Sequence, residues 1–198
     1  MKYEIGSNWI FRAGGNRKAL PLLKQMFDEN THIFSKIAKE LGHLLAKNNI
    51  KIIYGGGDMG LMGIIANAAF DNGGVVEGTI TNHLADKEKK NLNISSIEVV
   101  ETMHERKINM FNKADKFLIL PGGIGTLEEF FEVLSWKQLQ IHKKPIILFN
   151  IDNYWEQLIS LIDKTIDCKF AGENIKDAYI VVKNSEELRK VLNLDVKN

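Results

Sequence analysis

The run Lys116-Phe117-Leu118-Ile119-Leu120-Pro121-Gly122-Gly123-Ile124-Gly125-Thr126-Leu127-Glu128-Glu129 contains one complete passage from strand to helix. Its opening is almost continuous apolar chain, the pattern of a strand covered on both faces. Pro121 and three glycines then break it, and Phe130, Phe131, Val133, Leu134 and Trp136 supply the apolar positions of an amphipathic helix. The same passage occurs upstream, where residues 50–54 run into Gly55-Gly56-Gly57-Asp58-Met59-Gly60 and then into a stretch of helical period. Extended along the chain, this rhythm predicts strands over 9–11, 50–54, 75–80, 97–100, 117–120, 146–149 and 179–182. Helices are predicted over 31–48, 59–71, 104–112, 126–140, 154–165 and 185–192. Strands alternating with helices read as an α/β fold, a parallel sheet with helices on both faces.

The chain has 198 residues, and at that length a single domain buries enough surface to need neither disulfide nor structural metal. Prolines stand only at 21, 121 and 145 and no linker or repeat interrupts the chain, so residues 1–198 read as one domain. Twenty-six basic against 25 acidic residues leave a net charge of +1, too even for binding nucleic acid or an anionic membrane through charge. A small-molecule partner is expected. The apolar runs are of strand length and the first residues lack the apolar stretch of a signal peptide, so a cytoplasmic location is expected. The lone cysteine, Cys168, has no disulfide partner and reads as a small buried apolar residue. The histidines, at 32, 43, 83, 104 and 142, show no ligand spacing, so no metal is expected. The charged run 86–91 reads as a solvated loop or helix end.

Both glycine turns follow strands, and in an open α/β sheet the ligand crevice lies outside the strands' carboxyl ends. Gly56, Gly57 and Gly60 in the first turn let a backbone approach an anion, and Gly55-x-Gly57-x-x-Gly60 also fits a dinucleotide turn, with Glu77 placed 20 residues after Gly57 to hold a ribose. A tight turn with no ligand would use the same glycines. In the second turn no Lys follows Gly125-Thr126, which removes the main support for nucleoside triphosphate hydrolysis. With Thr126 as N-cap, Glu129 would occupy N3 and close a capping box, a structural task that accounts for it. Glu128 is then the freer carboxylate for chemistry. Upstream, Arg106 and Lys107 offer a planar fork and a point charge to phosphate, or else face solvent. His104 reads equally as a capping or a proton-carrying group.

Laid out together, Met103-His104-Glu105-Arg106-Lys107, Pro121-Gly122-Gly123-Ile124-Gly125-Thr126-Leu127-Glu128-Glu129 and Trp136-Lys137-Gln138-Leu139-Gln140-Ile141-His142-Lys143-Lys144-Pro145 resemble the LOG (Lonely Guy) family of phosphoribohydrolases. Its bacterial members often carry the label "lysine decarboxylase-like". The first glycine turn joins the resemblance, which spans about 38–167. It implies a modified Rossmann fold, a homodimer with active sites near the interface, and hydrolysis of a nucleoside 5′-monophosphate to free base and ribose 5-phosphate. It also implies catalytic roles for Arg106 and the Glu128/Glu129 pair. Gly122, Gly123, Ile124, Gly125 and Thr126 would cradle the 5′-phosphate, while Glu88 and Ser135 fall where the family has substrate-contacting residues. The N-terminus departs from the pattern: where the family has an apolar strand entering a Cys-Gly-Ser-Ser-like turn, Trp9-Ile10-Phe11-Arg12 enters Ala13-Gly14-Gly15-Asn16.

The chemistry suits these residue types. Breaking the C1′–N bond builds positive charge on the ribose, which a carboxylate stabilises, or water can be activated by the same group. Glu128 is the expected carboxylate, with Arg106 holding phosphate or orienting it, and no organic cofactor is required. The decarboxylase label finds no lysine in a pyridoxal-phosphate setting. Two further readings stand beside this one: a non-catalytic carrier of a nucleotide or of molybdenum cofactor on the same fold, and a nicotinamide-dependent oxidoreductase using Glu77.

Overall fold

The computed structural model describes residues 4–6, 31–85, 91 and 93–194. Seven strands lie in one parallel sheet in the order β4-β3-β2-β1-β5-β6-β7. They are β1 (Glu4–Gly6), β2 (Lys51–Tyr54), β3 (Val76–Thr81), β4 (Ser96–Val100), β5 (Lys116–Ile119), β6 (Ile146–Phe149) and β7 (Ile180–Val182). The helices are α1 (Thr31–Lys47), α2 (Gly60–Asp71), the single turn α3 (Asn82–Ala85), α4 (Met103–Lys113), α5 (Ile124–Gln138), α6 (Glu156–Asp167) and α7 (Ser185–Val191). The strand order reverses at β1, which pairs with β2 on one side and β5 on the other, and such a reversal opens a crevice at the carboxyl edge.

Alternation inside the central strands distributes the core to both faces. Leu118, Leu120, Ile147 and Phe149 pack with α1, α2 and α7, whereas Phe117, Ile119, Ile146 and Leu148 pack with α5 and α6. These side chains are all but fully buried, and each contributes about 1.5–3 kcal/mol relative to exposure. The edge strand β4 is partly solvated. Among the described residues no helix is long and apolar enough to cross a membrane.

One strand was not anticipated, and two expectations need correction. The strand that fills the centre of the sheet is Glu4–Gly6, a segment with no apolar run, while the predicted strand 9–11 and the turn 13–16 lie outside the described residues. Cys168 is exposed rather than buried: it caps α6 two residues after Ile166, which turns it away from the buried stripe Leu158, Ile162 and Ile166. The helix after the second glycine turn begins at Ile124 with Gly123 as N-cap, not at Thr126.

Candidate active site

Arg106 pins three parts of the carboxyl edge together. Its helix, α4, is started by a capping box in which Thr102 Oγ1 accepts from the Glu105 N–H at 3.1 Å while Glu105 Oε2 accepts from the Thr102 N–H at 3.1 Å. Glu105 is thus occupied as a cap, and Arg106, one residue on, points inward with 3% of its surface exposed. Its Nε donates to Thr79 O of β3 at 3.0 Å and its Nη2 to Gly55 O, just past β2, at 3.2 Å. Among the described residues Nη1 meets only Met103 Sδ, at 3.9 Å, a weak contact that leaves this corner of the fork able to serve a ligand. A Cβ at Gly55 would collide with Nη2, so glycine is required there for the arginine to enter. The first turn therefore serves Arg106 and the loop before β4. Gly56 and Gly57 are buried, Gly56 O accepts from the Asn91 N–H at 3.0 Å, and Gly60 is exposed at the start of α2.

The second turn has the properties of an anion cradle. With α5 starting at Ile124, the N–H groups of Ile124, Gly125 and Thr126 have no intrahelical acceptor, and the positive end of the helix dipole faces the loop. Thr126 is fully buried, yet its Oγ1 has no hydrogen-bond partner among the described residues. A Cβ on Gly122 would strike that hydroxyl. From the loop after β6, Tyr154 donates its hydroxyl to Gly122 O at 2.8 Å and so braces the turn, a role nothing in the glycine motif announces.

The two glutamates occupy contrasting environments. Because Gly123 rather than Thr126 is the N-cap, Glu129 forms no capping box; it lies a full turn inside α5, 6% exposed, with Oε2 unpartnered among the described residues. Burial pushes its pKa up to about 8 against the pull of Arg106, with Glu128 and Glu132 raising it further and Lys107 opposing them. Burial thus favours the protonated form of Glu129 at neutral pH. Glu128 is 56% exposed at its side chain and paired with Lys107 Nζ at 2.8 Å. Lys107 also binds Glu132 Oε1 at 2.8 Å. Burial alone would lower the ammonium's pKa, but these two carboxylates outweigh it and hold the pKa raised.

The structure thus brings together Arg106, Lys107, Glu128 and Glu129 beside the cradle Gly122–Thr126. Glu88 lies outside the described residues. Ser135 is exposed, nine residues along α5 from Thr126, a rise of about 14 Å. Glu132 was absent from the expected set, although its spacing of four from Glu128 on one helix face was readable. His104 is exposed. His142 is structural: Nε2 donates to Val133 O at 2.9 Å, Nδ1 accepts from the Lys144 N–H at 3.1 Å, and burial lowers its pKa. Glu77 is the second residue of β3 and pairs with Lys51 at 3.3 Å, about 13 Å from the carboxyl edge, too far to hold a ribose there. Among the described residues no group of three His, Cys, Asp or Glu is placed to hold a metal ion.

A family model described as "Possible lysine decarboxylase" matches residues 62–192. The chain is 40% identical over 163 residues to the cytokinin riboside 5′-monophosphate phosphoribohydrolase LOG2 of Arabidopsis thaliana, covering 82% of this chain and 76% of that one. LOG4 of the same plant, which carries the same description, is 40% identical over 159 residues, 80% of this chain and 74% of its own. Among solved structures, the molybdenum cofactor binding protein of Rippkaea orientalis superposes with a TM-score of 0.65 over 98% of this chain and 97% of its own, at 18% identity. That degree of identity speaks for the shared fold alone.

Proposed function

The chain belongs to the LOG family of phosphoribohydrolases, and from that premise we propose that it hydrolyses the N-glycosidic bond of a nucleoside 5′-monophosphate, giving free base and ribose 5-phosphate. It is an N-glycosyl hydrolase. AMP or an N6-modified AMP is the proposed substrate, in keeping with the relatives' description as cytokinin riboside 5′-monophosphate enzymes. The observation that carries the reading is a pair of adjacent glutamates in opposite environments, beside a buried arginine and an unsatisfied helix N-terminus.

In this reading the 5′-phosphate accepts from the N–H groups of Ile124 and Gly125, with Gly122 and Gly123 leaving room for it and the buried Thr126 shaping the turn from beneath. Nη1 of Arg106 supplies the remaining charge. Glu129, protonated at neutral pH, gives its proton to the leaving nitrogen of the base as the C1′–N bond breaks. The Glu128 carboxylate stabilises positive charge on the ribose and takes the proton of the water whose oxygen bonds to C1′. Atoms balance as substrate plus water to base plus ribose 5-phosphate. The relatives' description as phosphoribohydrolases, together with the carboxylates beside Arg106, favours hydrolysis over the carrier alternative. The lysine at the site, Lys107, is engaged by two carboxylates, an unsuitable state for Schiff-base chemistry.

The reading extends to a homodimer with its active sites near the interface, supported by the exposed Ile124, Leu139 and Ile141 on and just beyond α5, and to a cytoplasmic location. Light scattering tests the first and cell fractionation the second. The chemistry is tested by Glu128→Gln and Glu129→Gln. Glu129→Gln removes the fall in kcat/KM above about pH 8 along with about 10²–10⁴-fold of rate. Glu128→Gln lowers kcat while the high-pH limb remains. A Glu129→Gln protein with near-normal turnover overturns the assignment.

A further inference from the structure

Lys107 is held between two carboxylates of the neighbouring helix. Its side chain is 15% exposed, and Nζ lies 2.8 Å from Oε1 of both Glu128 and Glu132, which stand four apart on one face of α5. Among the described residues Glu132 Oε2 is buried with no partner of its own, and Lys107 is the cation that compensates this carboxylate. The three groups together carry a net charge of −1. A phosphate approaching Lys107 would have to displace a glutamate and place its own negative charge beside the other.

The clamp adjoins the chemistry on α4 and includes one of its carboxylates, Glu128, on α5. Lys107 adjoins Arg106 on α4, and Glu128 adjoins Glu129 on α5. We propose, building on the phosphoribohydrolase reading, that Lys107 is not a phosphate ligand but a positioning residue, which with Glu132 locks α4 to α5 and fixes how Arg106, Glu128 and Glu129 face the glycosidic bond. The clamp also governs the charge around Glu129. Among the described residues the charged groups facing that carboxyl are Arg106 and Lys107 from α4 and Glu128 and Glu132 from its own helix. Removing Lys107 leaves two uncompensated negative charges that make Glu129 harder to ionise. Removing the charge of Glu132 makes it easier. The two lesions break the same clamp yet move the titration of Glu129 in opposite directions, which general structural damage would not do.

The test measures pH profiles of kcat and KM for Lys107→Met, Lys107→Arg and Glu132→Gln on a nucleoside monophosphate, with calorimetric titration of ribose 5-phosphate. Lys107→Met is expected to lower kcat about 10–100-fold while leaving KM and ribose 5-phosphate affinity within about threefold. It moves the high-pH limb upward by about one unit, and Glu132→Gln moves it downward. Lys107→Arg restores most of the rate. The titration of Glu129 is also read without turnover, as the pH at which the urea stability of each variant diverges from that of its Glu129→Gln partner. Loss of ribose 5-phosphate affinity by tenfold or more with kcat retained would make Lys107 a phosphate ligand and overturn the proposal. Unchanged kcat and an unmoved titration midpoint would reduce the clamp to a surface ion pair. A wild-type chain that turns over no nucleotide would refute the enzymatic reading, while the binding and urea titrations still decide whether Lys107 binds phosphate or tunes Glu129.

Discussion

Glu129→Gln should stabilise the protein at neutral and alkaline pH while abolishing its activity. The carboxyl is 6% exposed and its pKa rises from 4.5 to about 8 through burial. A raised native pKa contributes its full stabilisation below pH 4.5 and loses it as pH climbs toward 8, because the unfolded chain ionises freely while the folded chain must keep the proton or bury a charge. Each unit of pKa difference is worth about 1.4 kcal/mol, so the cost at pH 7 is about 3 kcal/mol. Glutamine keeps the shape and has no proton to lose. The assay is urea unfolding of both proteins at pH 5, 7 and 8.5. The stability of the variant relative to wild type should grow by about 2–3 kcal/mol between pH 5 and 7 and level off above pH 8. Taking the difference between the two proteins cancels the other titrating groups. Parallel curves across this range would show that Glu129 is already ionised at neutral pH, and the acid role assigned to it would fall.

Other perturbations separate positioning from chemistry. Arg106→Ala strips the buried carbonyls of Gly55 and Thr79 of their donors and should cost about 2–4 kcal/mol in urea melts, beside loss of turnover. Gly55→Ala, whose new Cβ meets Arg106 Nη2, should reproduce the loss of activity by displacing the guanidinium, seen as at least a tenfold fall in kcat/KM. Thr126→Val keeps volume but removes a buried hydroxyl that has no partner among the described residues; urea melts should show stability unchanged or improved, with ribose 5-phosphate affinity, read by calorimetry, within about threefold. Glu77→Ala should leave nucleotide turnover intact, since that residue lies toward the opposite edge of the sheet.

The parallel sheet was legible because buried strands such as Ile146–Phe149 are unbroken apolar runs and their helices show a clear 3.6 period. Strand β1 was not. Glu4-Ile5-Gly6 has a single apolar residue and owes its place to pairing with β2 and β5, both distant in sequence, while Trp9-Ile10-Phe11 looked far more strand-like. The site motif was plain, but the roles of its glutamates hinged on where α5 starts. Thr126 is the better side-chain cap, so sequence favoured it; the backbone instead turns at Gly123, which shifts the helix frame by three residues and frees Glu129 from a capping task. Nor could one-dimensional spacing show that Arg106 reaches across to Gly55, 51 positions away, or that Lys107 is shared between two carboxylates.

The measurement that bears most directly on the central claim is product release from a panel of nucleoside 5′-monophosphates, including AMP and its N6-isopentenyl derivative, with Arg106→Ala and Glu129→Gln as controls. Free base and ribose 5-phosphate are expected in equal amounts from at least one of these nucleotides, and from none in either variant. Nucleotide binding by a folded wild-type protein with no base released from any of them would contradict the phosphoribohydrolase reading.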